Sequence, residues 1–183
     1  MSRLSVFTEA DPQSPTLVSE DAAEIATHLA AVGVQFERWQ AAAPIEPGAP
    51  ADHVLAAYAA EIERLKGVGG YTTVDVVSMA ADHPQKDAFR AKFRSEHTHS
   101  EDEVRFFVAG QGLFSLHIGE RVYEVICTHG DLISVPKATR HWFDMGPEPA
   151  FVAIRMFIDP AGWVANYTGS EIAAQFSALE ASP

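Results

Sequence analysis

The chain has 183 residues, 47% hydrophobic and 21% charged, with a formal net charge of −12. That length suits one domain with a substantial core, and the acidic balance argues against a nucleic-acid or anionic-membrane surface, which would need clustered Lys and Arg. Cys127, the only cysteine, allows no internal disulfide, and the opening MSRLSVFTEADPQSP has no apolar stretch, so a soluble cytoplasmic protein is expected.

LSVF (4–7) reads as a short strand. SEDAAEIATHLAAVG supplies capping residues, helix formers and a closing Gly33, which predicts a helix over about 20–31. VQFERW (34–39) alternates apolar and polar residues as a half-buried strand does. EPGAP breaks the pattern, and ADHVLAAYAAEIERLKGVGG predicts one helix with Val54, Tyr58, Ile62 and Leu65 on a single stripe. TTVDVVSM (72–79) reads as a strand and HPQKDAFRAKFR as a third short helix. From residue 104 onward VRFFVAG, LFSLHIG, RVYEVIC, DLISVP, RHWFDM and FVAIRMF follow one another with turn residues between them. This rhythm predicts a mainly β fold, an antiparallel sandwich or small barrel, with the helices packed on its outside.

EHTHSEDEVRFFVAGQGLF (96–114) crowds His97, His99 and Glu103 just ahead of a strand. On a strand, residues two apart share a face, so His97 and His99 point the same way; Glu103 has the same parity unless SED turns the chain. Two imidazoles and a carboxylate converging inside a barrel suit a divalent transition metal. GDLISVPKATRHWFDM offers His141 as a fourth ligand after a Pro-containing turn, with His117 as its rival. Three nitrogens and one oxygen on an octahedral ion leave two positions for water or substrate, which suits catalysis better than a structural role.

His97-x-His99-x3-Glu103-x6-Gly110 resembles the first cupin motif, and Gly130-x5-Pro136-x4-His141 resembles most of the second. Ala138 stands where the second motif usually has Gly, and Met145 replaces its trailing Asn. Within cupins, EHTHSEDEVRFFVAGQGLF, VPKATRHWFDMG, AIRMF and GWVANYTG are similar to the acireductone dioxygenases of methionine salvage, over roughly Val74–Thr168. The resemblance implies a single cupin domain over 1–183, a jelly-roll-like β-barrel with a few peripheral helices and its core at about 70–160. It implies one Fe2+ or Ni2+ per monomer on His97, His99, Glu103 and His141. The implied reaction is cleavage of 1,2-dihydroxy-5-(methylthio)pent-1-en-3-one by O2. Iron would give formate and 4-methylthio-2-oxobutanoate; nickel would give formate, carbon monoxide and 3-(methylthio)propionate.

Other residues carry competing readings. Arg105 shares the face of Glu103, and a buried guanidinium needs an anion. By the resemblance that anion is the substrate dianion; the plainer reading is a salt bridge to Glu103. Arg155 in AIRMF is similar, although its strand could expose it. Glu96 and Asp102 have parity opposite to the ligands and read as solvated charges, while the resemblance implies metal loading for Glu96 and conformational relay for Asp102. Phe93, Phe143 and Trp163 are candidates for an apolar pocket wall, or for plain core. His28, His53 and His83 lack a second ligand at useful spacing, His129 reads as a loop residue, Cys127 as a buried thiol, and GVGGY as a turn. Two alternatives stand beside the favoured reading: another cupin dioxygenase, and a non-enzymatic metal-binding cupin. A monomer without nucleic-acid or membrane partners is expected.

Overall fold

A computed structural model of the chain describes residues 1–41, 43–159, 162 and 164–180. In chain order the elements are β1 (Arg3–Thr8), β2 (Leu17–Ser19), α1 (Ala22–Ala30), β3 (Gln35–Arg38), α2 (Ala51–Ala57), α3 (Ala59–Gly69), β4 (Thr73–Met79) and α4 (Lys86–Phe93). They continue with β5 (His97–Thr98), β6 (Glu103–Ala109), β7 (Gln111–Ile118), β8 (Arg121–Thr128), β9 (Asp131–Val135), β10 (Arg140–Asp144), β11 (Phe151–Phe157) and β12 (Asn166–Tyr167), followed by a 3-10 turn at Ile172–Gln175.

The strands pair as two antiparallel sheets rather than one closed ring. One has seven strands in the order β12-β5-β10-β7-β8-β1-β2; the other has five, β3-β9-β6-β11-β4. Alternation sorts each strand between two faces. Leu4, Phe114, Leu116, Val125 and Phe143 of the larger sheet meet Phe107, Ile133, Phe151 and Ala153 of the smaller one in the core between them. The outer face of the five-stranded sheet is also apolar, with Val104, Phe106, Leu132, Ile154 and Met156 packed under Val54, Tyr58 and Ile62. Burial on both faces explains why β6 carries apolar residues on both faces from Phe106 to Ala109.

Local sequence accounts for the element boundaries. Asp21 caps α1 by accepting from the N–H groups of Ala23 and Glu24, each at 2.9 Å. Gly110 turns β6 into β7 with φ +67°, a left-handed value open to glycine. The single helix expected over ADHVLAAYAAEIERLKGVGG is instead two, because Tyr58 leaves helical geometry at φ −114°, ψ 22°. Its ring is buried edge-on against Phe106 and its hydroxyl donates to the Ala43 carbonyl at 2.9 Å, so packing and hydrogen bonding overrule the helical stripe there. The two-residue strands β5 and β12, and β2, are too short to carry an alternation signal.

Candidate metal centre

His97 and His141 face each other as cross-strand partners on β5 and β10. His99 follows just after β5, and the turn through Ser100, Glu101 and Asp102 then carries the chain across to the other sheet, where Glu103 opens β6. The larger sheet therefore supplies the histidines and the smaller sheet the carboxylate. All four side chains are buried. One nitrogen from each histidine lies within 4.8 Å of the others, and Glu103 Oε2 is 3.1 Å from His141 Nε2 and 3.4 Å from His99 Nε2. An ion with bonds of about 2.1 Å places neighbouring ligand atoms about 3 Å apart, so this spacing suits a shared divalent cation.

Hydrogen bonding fixes which ring atoms face inward. Nδ1–H donates to a backbone carbonyl in each ring: His97 to Ser95 at 2.7 Å, His141 to Thr139 at 2.8 Å and His99 to Val164 at 3.2 Å. A carbonyl only accepts, so each Nδ1 carries a proton, and in the corresponding neutral tautomer the lone pair is on Nε2, turned toward the centre. Burial, reinforced by the neighbouring His141, pushes His97 down to about 4, and burial likewise lowers His99. Both are thus neutral at pH 7 and ready to ligate. Burial alone would raise Glu103, but the Arg105 charge beside it holds it well below the usual carboxylate range. With Nδ1–H committed to Thr139, the Nε2 of a neutral His141 and Glu103 Oε2 are both acceptors, and their 3.1 Å separation suits a cation held between them. This donor set fits a divalent metal ion.

Arg105, also on β6, lies beside the carboxylate. Its Nε donates to Glu103 Oε1 at 2.5 Å, and its buried Nη1 has no hydrogen-bond partner. Burial lowers its pKa against the opposing pull of Glu103. The guanidinium carbon sits 4.8 Å from the centre of the Phe143 ring and 5.2 Å from that of Phe114. Arg155 is its cross-strand partner on β11 and is held by Asp75 of β4 through two hydrogen bonds of 2.8 and 2.5 Å. Both guanidinium groups, with His97 and His99, line a cavity of about 490 Å³ whose apolar wall includes Val77, Met79, Phe89 and Phe93.

The remaining candidates fall in different places. Phe93 lines the cavity, whereas Phe143 lies one layer deeper in the core, with its ring 6.2 Å from that of Phe93. Trp163 lies outside the described residues. Asp102 is exposed and accepts from the Lys137 N–H at 2.8 Å. Glu96 is not a solvated charge: it is 2% exposed, hydrogen-bonded at 2.6 Å to His117 Nδ1 and at 2.6 Å to the Thr168 hydroxyl. The parity argument fails there because β5 begins only at His97. His117 is held between Glu96 and Glu9, away from the three-histidine cluster. Cys127 is a fully buried thiol pushed well up by burial. Ala138 adopts φ +62°, so the residue in place of the usual motif Gly keeps the left-handed turn that Gly would favour. Sequence reasoning missed Val77, Met79, Phe89 and Tyr167 as cavity lining. Alternation along TTVDVVSM and the four-residue spacing of Phe89 and Phe93 were the available signals.

A jelly roll whose interior presents such a donor set is a metal-binding cupin. A family model described as the ARD/ARD′ family matches residues 3–165, and the chain belongs to that family, the acireductone dioxygenases. It is therefore an enzyme, a dioxygenase. The acireductone dioxygenase of Pseudomonas aeruginosa (strain UCBPP-PA14) is 62% identical over 180 residues, covering 98% of this chain and 99% of that protein. That of Xanthomonas campestris pv. campestris (strain B100) is 57% identical over 176 residues, covering 96% and 94%. Among solved structures, the acireductone dioxygenase from Bacillus anthracis with a cadmium ion in its active centre matches with a TM-score of 0.80 at 30% identity, over 91% of this chain and 98% of that one. Among the described residues no helix is long and apolar enough to cross a membrane.

Proposed function

We propose that the chain is a single cupin domain acting as a cytoplasmic monomer, which cleaves 1,2-dihydroxy-5-(methylthio)pent-1-en-3-one with O2 in methionine salvage. His97, His99, Glu103 and His141 hold one Fe2+ or Ni2+. The observation that carries this reading is the cavity of about 490 Å³ onto which two of the histidines, two guanidinium groups and an apolar wall all open. It matches a small molecule that is anionic at one end and apolar at the other.

The residues divide the work by chemistry. Nδ1–H bonds to Ser95, Thr139 and Val164 hold the three rings with Nε2 inward, so little reorganisation accompanies ligation. A bound divalent ion supplies a Lewis acid that favours the deprotonated enediol. Arg105 has spent Nε on Glu103, which leaves Nη1 as a donor for the substrate oxyanion. Arg155, fixed by Asp75, adds positive charge to the same cavity. Phe93 with Val77 and Met79 receives the methylthio tail and keeps water from the reacting carbons.

The test is to strip the metal, reload Fe2+ and Ni2+ separately, and assay organic acids together with headspace carbon monoxide. Iron-loaded protein should yield formate and 4-methylthio-2-oxobutanoate. Nickel-loaded protein should yield formate, carbon monoxide and 3-(methylthio)propionate. Carbon monoxide in equal yield from both forms refutes metal-directed products. Absence of substrate oxidation by either form rejects the substrate assignment.

A further inference from the structure

A second cavity, of about 370 Å³, lies on the outer face of the seven-stranded sheet, against the C-terminal segment 177–180. Leu4, Val6, Phe114, Leu116, Tyr123 and Val125 fill the core between the sheets, so the alternate residues Ser5, Leu113, Glu124 and Ile126 point the opposite way, away from the metal centre. Glu124 is the unusual member. It is 7% exposed, and its Oε1 is buried without a hydrogen-bond partner. Ser115, its cross-strand neighbour on β7, is fully buried and its Oγ also lacks a partner. Leaving an acid and a hydroxyl unsatisfied side by side is unfavourable, and native structures rarely do so without a reason.

The surroundings indicate what would satisfy the acid. No cation among the described residues forms an ion pair with Glu124; Arg3 lines the same cavity from β1, and Glu180 contributes a second acid. Phe7, Leu113 and Ile126 supply an apolar wall, and the uncharged polar residues Ser5, Gln13 and Ser177 complete the lining beside it. The cavity thus has two acids against one base, a buried acceptor without a partner and one apolar wall. That combination disfavours an anion and suits a small organic cation. We propose that this cavity is a second ligand site, which binds a primary ammonium carrying a short apolar chain, with the ammonium on Glu124 and the chain against Phe7, Leu113 and Ile126. The proposal does not rest on the reaction at the metal centre.

The probe is n-butylammonium, with n-butanol and butyrate as its neutral and anionic counterparts, each titrated at about pH 8, where Glu124 is mostly ionised, into metal-loaded protein and followed by calorimetry and by crystals soaked in the probe. Butylammonium should bind saturably, at least tenfold more tightly than butanol, with butyrate weaker still, and its nitrogen should lie within hydrogen-bond distance of Glu124. Glu124→Gln keeps the shape and removes the charge, so it should weaken the amine at least tenfold and leave butanol unchanged. Arg3→Ala removes the competing cation and should tighten the amine, which provides a second reading if Glu124→Gln unfolds. Equal binding of amine and alcohol overturns the proposal. So does amine binding that neither substitution alters, or density showing only a water bridging Glu124 and Ser115 at saturating amine.

Discussion

Replacing Arg105 with Leu separates two tasks that stability and turnover report independently. Arg105 Nε and Glu103 Oε1 lie 2.5 Å apart with side chains 5% and 2% exposed. Removing one member of such a buried pair strands the other charge, at a cost of about 3–5 kcal/mol. A divalent ion on Oε2 would still compensate Glu103, so that loss should appear in metal-free protein and shrink when the metal is restored. Leu refills part of the space beside Phe114 and Phe143, whose ring centres lie 5.2 and 4.8 Å from the guanidinium carbon, which limits the cavity contribution. Turnover depends on the unpartnered Nη1. Losing one fixed donor aimed at developing negative charge typically lowers the rate about 100- to 1000-fold, or about 2.7–4 kcal/mol. The assay is thermal unfolding with and without metal, metal content by mass spectrometry, and kcat/KM for O2 uptake per bound ion. Arg105→Leu should keep its metal and lose at least about 100-fold in kcat/KM. Metal content near wild type with turnover within about tenfold would refute the proposed role on the substrate anion. Metal loss as deep as that of Glu103→Ala would leave Arg105 a purely structural partner.

Two further predictions concern the scaffold. Burial, only partly offset by Arg3, pushes Glu124 from 4.5 up to about 7. The folded state therefore holds the proton more tightly than the unfolded chain, and its contribution is complete below about pH 4.5 and lost as pH rises through about 7, at most about 3 kcal/mol. Glu124→Gln should flatten urea-unfolding stability across that window, and a variant retaining the wild-type slope would clear Glu124 as its source. Gly110→Ala places a Cβ 1.8 Å from the Ala150 carbonyl oxygen at φ +67°, so it should cost at least about 2 kcal/mol in chemical denaturation. A loss below about 0.5 kcal/mol would mean that the β6–β7 turn relaxes freely.

Legibility in the sequence followed the length and environment of each element. β6 to β11 were readable because each carries five or more residues between turn signals. The pair His97 and His99 was readable from spacing, but its partner Glu103 reaches the site by a different route from the one parity suggests. The chain changes sheets through Ser100, Glu101 and Asp102, so the carboxylate arrives from the facing sheet. Glu96 was misread for a related reason. Its burial depends on His117, 21 residues away, and Thr168, 72 residues away, and no local pattern reports such a contact. Tyr58 fitted the helical stripe and still ended a helix, because its ring and hydroxyl are satisfied by tertiary partners.

The three histidines also differ in what holds them. His97 and His141 donate Nδ1–H to carbonyls two residues earlier, on Ser95 and Thr139, so their orientation is built into the strand entrances themselves. His99 instead donates to Val164, 65 residues away, in the segment that continues into β12. That segment is fixed by pairing of Asn166 and Tyr167 with β5, and by Thr168, whose N–H donates to the Glu96 carbonyl and whose hydroxyl donates to the Glu96 carboxylate. Tyr167 lines the cavity as well. One stretch of chain therefore aims one histidine and bounds the space beside it, while the other two keep their aim locally. A disturbance of residues 164–168 would reach the metal centre through His99 and also through His97, whose register partner on β12 is Tyr167, while His141 keeps its own Nδ1–H bond to Thr139.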